Sequence, residues 1–212
     1  EALRHPKVLL LALAYFFVVT GTYGIEFFLP SILQRWYSLQ LSSLTWLVML
    51  PPTLAMVGQL IVGWSSDRTK ERRWHTVVPI VMGAIAIVLV TRTQGMLPLT
   101  IFLFMVAAAG FKAYLPAFWS LPNLFLTQAA AAGSIGLINS VGNLGGFLGP
   151  YVIGTVEKVT GSFEGGLVFL GVSAAASAAI IMTLGLGHRP TDAIPVPAPV
   201  APPIGAPQPT TR

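Results

Sequence analysis

Six stretches of this 212-residue chain are apolar for long enough, or nearly so, to cross a lipid bilayer, and that pattern restricts the fold more than any other feature. A crossing takes about 20 mostly apolar residues, because the hydrocarbon core is about 30 Å thick and a helix rises about 1.5 Å per residue. The stretches lie near residues 8–33, 44–66, 76–91, 97–126, 132–156 and 165–187. The first runs for 18 uncharged residues before reaching Glu26, the fourth is interrupted only by Lys112, and the sixth carries no charge. In lipid each backbone N–H and C=O has to be satisfied inside the protein, and for runs of this length the helix achieves that. The sequence therefore predicts an all-α integral membrane protein, with a bundle of six transmembrane helices over residues 1–189 and the lipid bilayer as its solvent.

Charge then orients the bundle. Only 9% of residues are charged while 54% are hydrophobic, which excludes an ordinary soluble surface. The net charge of +5 does not form the basic face that a nucleic-acid reader needs, so no nucleic acid is expected as a partner. The basic residues sit instead in one short loop and at span ends. With six spans both termini share a side, and Arg4, Lys7, Arg68, Lys70, Arg72, Arg73 and Arg189 fall there, against Arg35, Arg92 and Lys158 on the other. The positive-inside bias makes the terminal side cytoplasmic. Trp36, Tyr37, Trp46, Trp64 and Trp74 lie at span ends, where amphipathic rings anchor at the headgroups. The last 23 residues, 190–212, hold eight prolines and are expected to form a disordered cytoplasmic tail. The chain opens EALRHPK, with neither a methionine nor a secretory signal pattern, so its first residue need not be the natural start of the protein.

Enzyme chemistry finds no foothold. There is no cysteine, hence no thiolate metal site or cysteine nucleophile; His5, His75 and His188 stand near span ends without HExxH spacing, and no GxSxG is present. No cofactor or metal is expected.

Between the second and third stretches stands GWSSDRTKERRW, residues 63–74. Its glycine allows close packing at a helix end, Asp67 follows at the membrane surface, and the arginines hold the loop on the cytoplasmic side. Asp67 can pair with Arg68 or Arg72, or meet a helix N-terminus. The spacing of Gly63, Asp67, Arg68, Arg72 and Arg73 resembles the cytoplasmic loop signature of the major facilitator superfamily, which occurs once in each six-helix half, after that half's second helix. FWSLPNLFLTQAAAAGSIGLINSVGNLGGFLGPYVIG, residues 118–154, resembles the tenth and eleventh helices of the anion:cation symporter branch, and YGIEFFLPSIL, residues 23–33, its seventh. The resemblance covers nearly all of residues 8–187. It implies the C-terminal six-helix half of a twelve-helix carrier of the tartrate and phthalate type, in the bacterial inner membrane. It further implies three partners: a small organic anion as substrate, a coupling proton or cation, and an N-terminal six-helix half. The loop would act as a conformational latch for alternating access. Glu26 and Lys112 depart from the branch, where small or neutral residues are expected.

Those two ionisable groups each cost about 2.5 to 3.5 kcal/mol inside a span, so each needs a partner, water or a function. Lys112 lies about 22 Å into its span, near or just past the midplane, whereas Glu26 lies closer to the outer surface. On that placement the two do not meet, and an intramembrane acid–base pair is set aside. Helical spacing puts Lys112, Pro116, Trp119, Ser120, Asn123 and Thr127 on one face of the fourth span, and Tyr15, Thr22, Tyr23 and Glu26 on one face of the first. The resemblance implies that these two helices line a central cavity. Hydroxyls and amides on such faces can also bond their own backbone or a neighbouring helix. In the fifth span Asn139 and Asn143 share a face, beside Gly142 with Gly146 and Gly145 with Gly149, two GxxxG pairs that allow close helix approach. Pro150 leaves a carbonyl near Gly146 without its helical donor. The candidate substrate-binding set is thus Tyr23, Glu26, Lys112, Trp119, Ser120, Asn139 and Asn143. A different class of reading keeps the chain as a six-span scaffold or sensor that self-associates through residues 142–149 without transporting anything.

Overall fold

The computed structural model describes residues 5–185; Arg4, His188, Arg189 and the proline-rich segment 190–212 lie outside the described residues. Among the described residues the fold is entirely helical: α1 (Pro6–Tyr37), α2 (Leu41–Thr69), α3 (Arg73–Val90), α4 (Leu97–Ala113), α5 (Leu115–Phe118), α6 (Gln128–Asn143), α7 (Gly145–Thr160) and α8 (Glu164–Thr183), with one 3₁₀ turn at Pro122–Leu124 between α5 and α6. Five segments of the described residues are long and apolar enough to cross a membrane, namely α1, α2, α3, the Leu97–Leu124 stretch and α8. The remaining predicted span is divided between α6 and α7, two 16-residue helices joined at Leu144.

Helix α1 owes its length to both ends. Pro6 occupies the first turn, where a missing N–H is harmless, and the His5 ring nitrogen accepts the Lys7 N–H at 3.2 Å. At the other end Ser38 adopts a left-handed conformation (φ 49°) and its N–H returns to the Gln34 carbonyl at 2.9 Å. Between these caps the helix buries residues on several sides, because α4, α6, α7 and α8 all pack against it. On the other side of the bundle α3 lies between α4 and α8, and α2 rests on α4. Leu11, Ile32, Ile80, Phe104, Phe111 and Leu170 belong to the resulting continuous apolar core.

The contact between α7 and α1 is backbone on backbone. A Cβ at Gly145 would run into the Phe16 carbonyl, and one at Gly149 into the Thr20 carbonyl. Only glycine permits that approach, which makes these two positions the seam of an intramolecular interface. Helix α2 is the opposite case. Trp46 is 74% exposed and Leu60 69%, beside exposed Met56, Ile61 and Trp64. So large an apolar face is unfavourable in water and favourable against acyl chains or another apolar surface.

The fourth span departs from the single regular helix over residues 97–126 that its composition predicts. Pro116 has no N–H for the Lys112 carbonyl, and the α-helix is interrupted at Tyr114 before α5 resumes. The chain then tightens through i to i+3 bonds, Ser120 to Ala117 and Leu121 to Phe118, into the turn at Pro122. A stripe drawn with helical spacing from Lys112 to Thr127 therefore does not remain on one face.

Candidate functional site

Three elements converge where the fourth span is interrupted. Helix α1 supplies Tyr15, Thr22, Tyr23 and Glu26, the α4–α5 join supplies Lys112 and Tyr114, and α6 adds Asn143 at its end; together they line a cleft of about 120 Å³. Glu26 and Lys112 form an ion pair across it, with Lys112 Nζ 2.5 Å from Glu26 Oε1. The side chains remain 44% and 35% exposed respectively, so the pair sits in an open cleft and not in the packed core.

That contact corrects the expectation that the two groups lie at different depths. The apolar run ends near residue 33, but α1 continues to Tyr37, which places Glu26 about 16 Å from the helix end at 1.5 Å per residue. Lys112 is about 22 Å from the start of α4 on the same side of the bundle. The residual difference of about 6 Å is within the reach of a lysine side chain. Among the described residues no other charged group lines the cleft.

The backbone beneath the pair is pinned. Thr22 Oγ1 donates to the Val18 carbonyl at 3.0 Å and to the Phe111 carbonyl at 3.2 Å, tying α1 to α4 one residue before Lys112. Tyr15 stacks on Phe118 with ring centroids 5.3 Å apart and meets Trp119 edge-on at 5.0 Å. Gly142 packs against the Tyr15 ring and Gly146 against that of Tyr23.

Of the seven residues expected to bind substrate, the structure brings Tyr23, Glu26, Lys112 and Asn143 to this cleft. Trp119 lies outside its lining, within the aromatic cluster of Tyr15 and Phe118. Asn139 accepts from Asn143 Nδ2, through its backbone carbonyl at 2.8 Å and its side-chain oxygen at 3.0 Å. Ser120 donates to the Pro116 carbonyl at 3.0 Å and lines a second cleft of about 490 Å³, together with Asn123, Lys70 and Arg72. Thr22 and Tyr114 line the first cleft without belonging to the expected set. Thr22 was legible in the α1 polar stripe, whereas Tyr114 becomes visible only once Pro116 is recognised as a helix interrupter.

The loop residues occupy the α2–α3 hairpin. Asp67 pairs with Arg72 (Oδ1 to Nη1 2.7 Å), and the same Nη1 donates to Ser66 Oγ at 2.9 Å. Arg68 lies over the Trp64 ring and Arg73 over that of Trp74, while Gly63 faces Pro116 across the α2–α5 contact. Glu71 caps α3: its carboxylate accepts the Trp74 N–H at 2.9 Å, the His75 N–H at 3.2 Å and a bond from the His75 ring at 3.0 Å. Burial acts to raise the Glu71 pKa, but these bonds outweigh it and hold it below the ordinary carboxylate value. The other His75 ring nitrogen meets Ser65 Oγ at 2.9 Å, which joins α3 to α2. A further ion pair, Arg35 with Glu157, links the ends of α1 and α7. Opposite charges at the same-side ends of the first and fifth spans were a readable signal for it.

Comparison with known proteins adds the relatives. Residues 1–150 match the Major Facilitator Superfamily. The chain is 35% identical over 182 residues to a protein named as a tartrate transporter in Agrobacterium vitis, covering 86% of this chain and 42% of that protein. It is 37% identical over 172 residues to a quinolone resistance transporter of Acinetobacter baumannii (81% of this chain, 39% of that protein). It is 32% identical over 187 residues to an inner membrane transport protein of Escherichia coli K12 (87% of this chain, 43% of that protein). The chain thus spans about two fifths of the length of each.

Proposed function

The chain belongs to the major facilitator superfamily, and from that premise we propose that it forms the C-terminal six-helix half of a secondary carrier for a small organic anion. In such a carrier two six-helix halves rock about a central site to expose it to either side in turn. The observation that carries the anion assignment is Lys112 in an open cleft at membrane depth, held among the polar side chains of Tyr23, Asn143 and Thr22. An ammonium at that depth is a costly feature whose ordinary use is recognition of an opposite charge. The amide of Asn143 and the phenol of Tyr23 can both donate to a carboxylate. The opposing wall of the cavity belongs to an N-terminal half, and transport is coupled to protons or another cation. Residues 1–189 make the bundle and 190–212 a cytoplasmic tail, with both ends on the cytoplasmic side of a bacterial inner membrane. Asp67 and Arg72, with Gly63, Arg68 and Arg73 around them, act as a latch that closes the cytoplasmic side in one conformation.

The scaffold reading loses its support in the glycines, since Gly145 and Gly149 are occupied by α1 and unavailable to a second copy. The test is uptake of radiolabelled tartrate by proteoliposomes holding the full-length carrier, with and without an imposed proton gradient. Wild type is expected to accumulate the anion and Lys112→Ala to lose at least about 90% of the initial rate, a change of about 1.4 kcal/mol or more. Normal rate and affinity in Lys112→Ala would remove the assignment.

A further inference from the structure

The cation expected to attract the substrate already has a partner. Lys112 Nζ lies 2.5 Å from Glu26 Oε1, and among the described residues no second basic side chain lines the cleft. A carboxylate entering here meets a neutral pair. To reach the ammonium it has to displace Glu26, which can withdraw because both side chains are more than a third exposed and, among the described residues, Glu26 makes no other side-chain hydrogen bond.

We infer that Glu26 is a built-in competitor for Lys112 and that, once displaced by the substrate, it becomes the seat of the coupling cation. The inference rests on the anion-carrier reading above. Charge counting drives it. The empty cleft holds Lys112 (+1) and Glu26 (−1). A bound carboxylate adds −1 and leaves the site one charge in excess, a repulsion that acts on Glu26 at the few-ångström separations of this cleft. The groups facing Glu26 offer no compensation: Lys112 is then engaged by the substrate, Asn143 from α6 is neutral, and the titratable groups that remain, Tyr15, Tyr23 and Tyr114, are phenols that can only add negative charge. One monovalent cation arriving with the carboxylate that engages Lys112 restores neutrality at this pair, either a proton taken from the aqueous phase onto a Glu26 oxygen or a sodium ion beside it. When the anion leaves, Lys112 recovers Glu26 and the cation is released. Occupancy of the two sites is thereby linked, as binding linkage requires.

The experiment uses purified full-length carrier in detergent with tartrate as the probe, recording affinity together with proton uptake in weakly buffered solution, with sodium present or replaced by choline. If Lys112 is free of Glu26 about a tenth of the time, the neutral variant Glu26→Gln binds tartrate about tenfold more tightly than wild type. Glu26→Asp, which keeps the charge but shortens the reach, is expected between the two and serves if Glu26→Gln does not fold. Wild type should take up about one proton per tartrate, or show sodium-dependent affinity, and Glu26→Gln should do neither. Unchanged or weaker tartrate affinity in Glu26→Gln and Glu26→Asp, with cation linkage intact, overturns the inference while leaving the anion-carrier reading in place. If wild type does not bind tartrate and other small carboxylates are equally inert, it is the anion-carrier reading that fails.

Discussion

At the scale of single residues the molecule separates charges that hold structure from charges that are free to act. Glu71 belongs to the first kind. It closes the first turn of α3 and, through His75 and Ser65, fastens that helix to α2. Because its pKa is lowered on folding from 4.5, its contribution is fully present above 4.5 and is lost as pH falls through the lower folded value. Glu71→Gln should lower stability by about 1 kcal/mol at neutral pH, the ordinary worth of a helix cap, and the gap from wild type should close in acid. Thermal unfolding of both proteins from neutral pH downward measures it, and a gap independent of pH would mean that the carboxylate is not the stabilising group. The polar residues of α1 were legible as a stripe at helical spacing. Their contact with Lys112 was not, because the end of an apolar run understates how far a capped helix continues.

At the scale of helices, packing explains what composition could not. GxxxG spacing permits a close approach but does not name the partner, and the structure gives that partner as α1. Gly149→Ala places a methyl group against the Thr20 carbonyl, which cannot rotate away, and should cost about 1 to 3 kcal/mol through displacement of α7. Gly136→Ala in α6 meets nothing within 4 Å and should be neutral or stabilising by up to about 1 kcal/mol. Unfolding of the two variants in matched detergent gives the comparison, and equal effects would show that the α1–α7 seam is not tight. Five of the six apolar stretches coincide with segments long and apolar enough to cross a membrane among the described residues, and the fifth stretch is divided between α6 and α7. The fourth was drawn too regularly, since Pro116 counts equally as a member of a polar stripe and as the residue that interrupts the helix beneath it.

At the scale of the whole molecule the cleft is one-sided. Lys112 and Glu26 remain more than a third exposed in it and Asn143 is exposed at its edge, and α2 shows an apolar face along much of its length. Reconstituted alone, residues 1–189 should insert into liposomes yet accumulate no tartrate, and co-reconstitution with the N-terminal six helices of the full-length carrier should restore uptake. Accumulation by the isolated bundle would contradict the half-carrier reading. The loop between the second and third spans made the family legible. The depth and pairing of the cleft's charges came only from three-dimensional placement, because they depend on where two distant helices end.

The pairing of Glu26 with Lys112 also bears on how the protein is made. During synthesis α1 reaches the membrane before α4, so the carboxylate enters the bilayer before its ammonium partner arrives. For that interval α1 carries an uncompensated polar group of the kind that disfavours insertion by about 2.5 to 3.5 kcal/mol. The apolar length on either side of Glu26 has to outweigh it, or α1 has to wait at the insertion machinery beside water. Arrival of α4 then settles α1 as well, so the final placement of α1 comes later in biogenesis than its own synthesis.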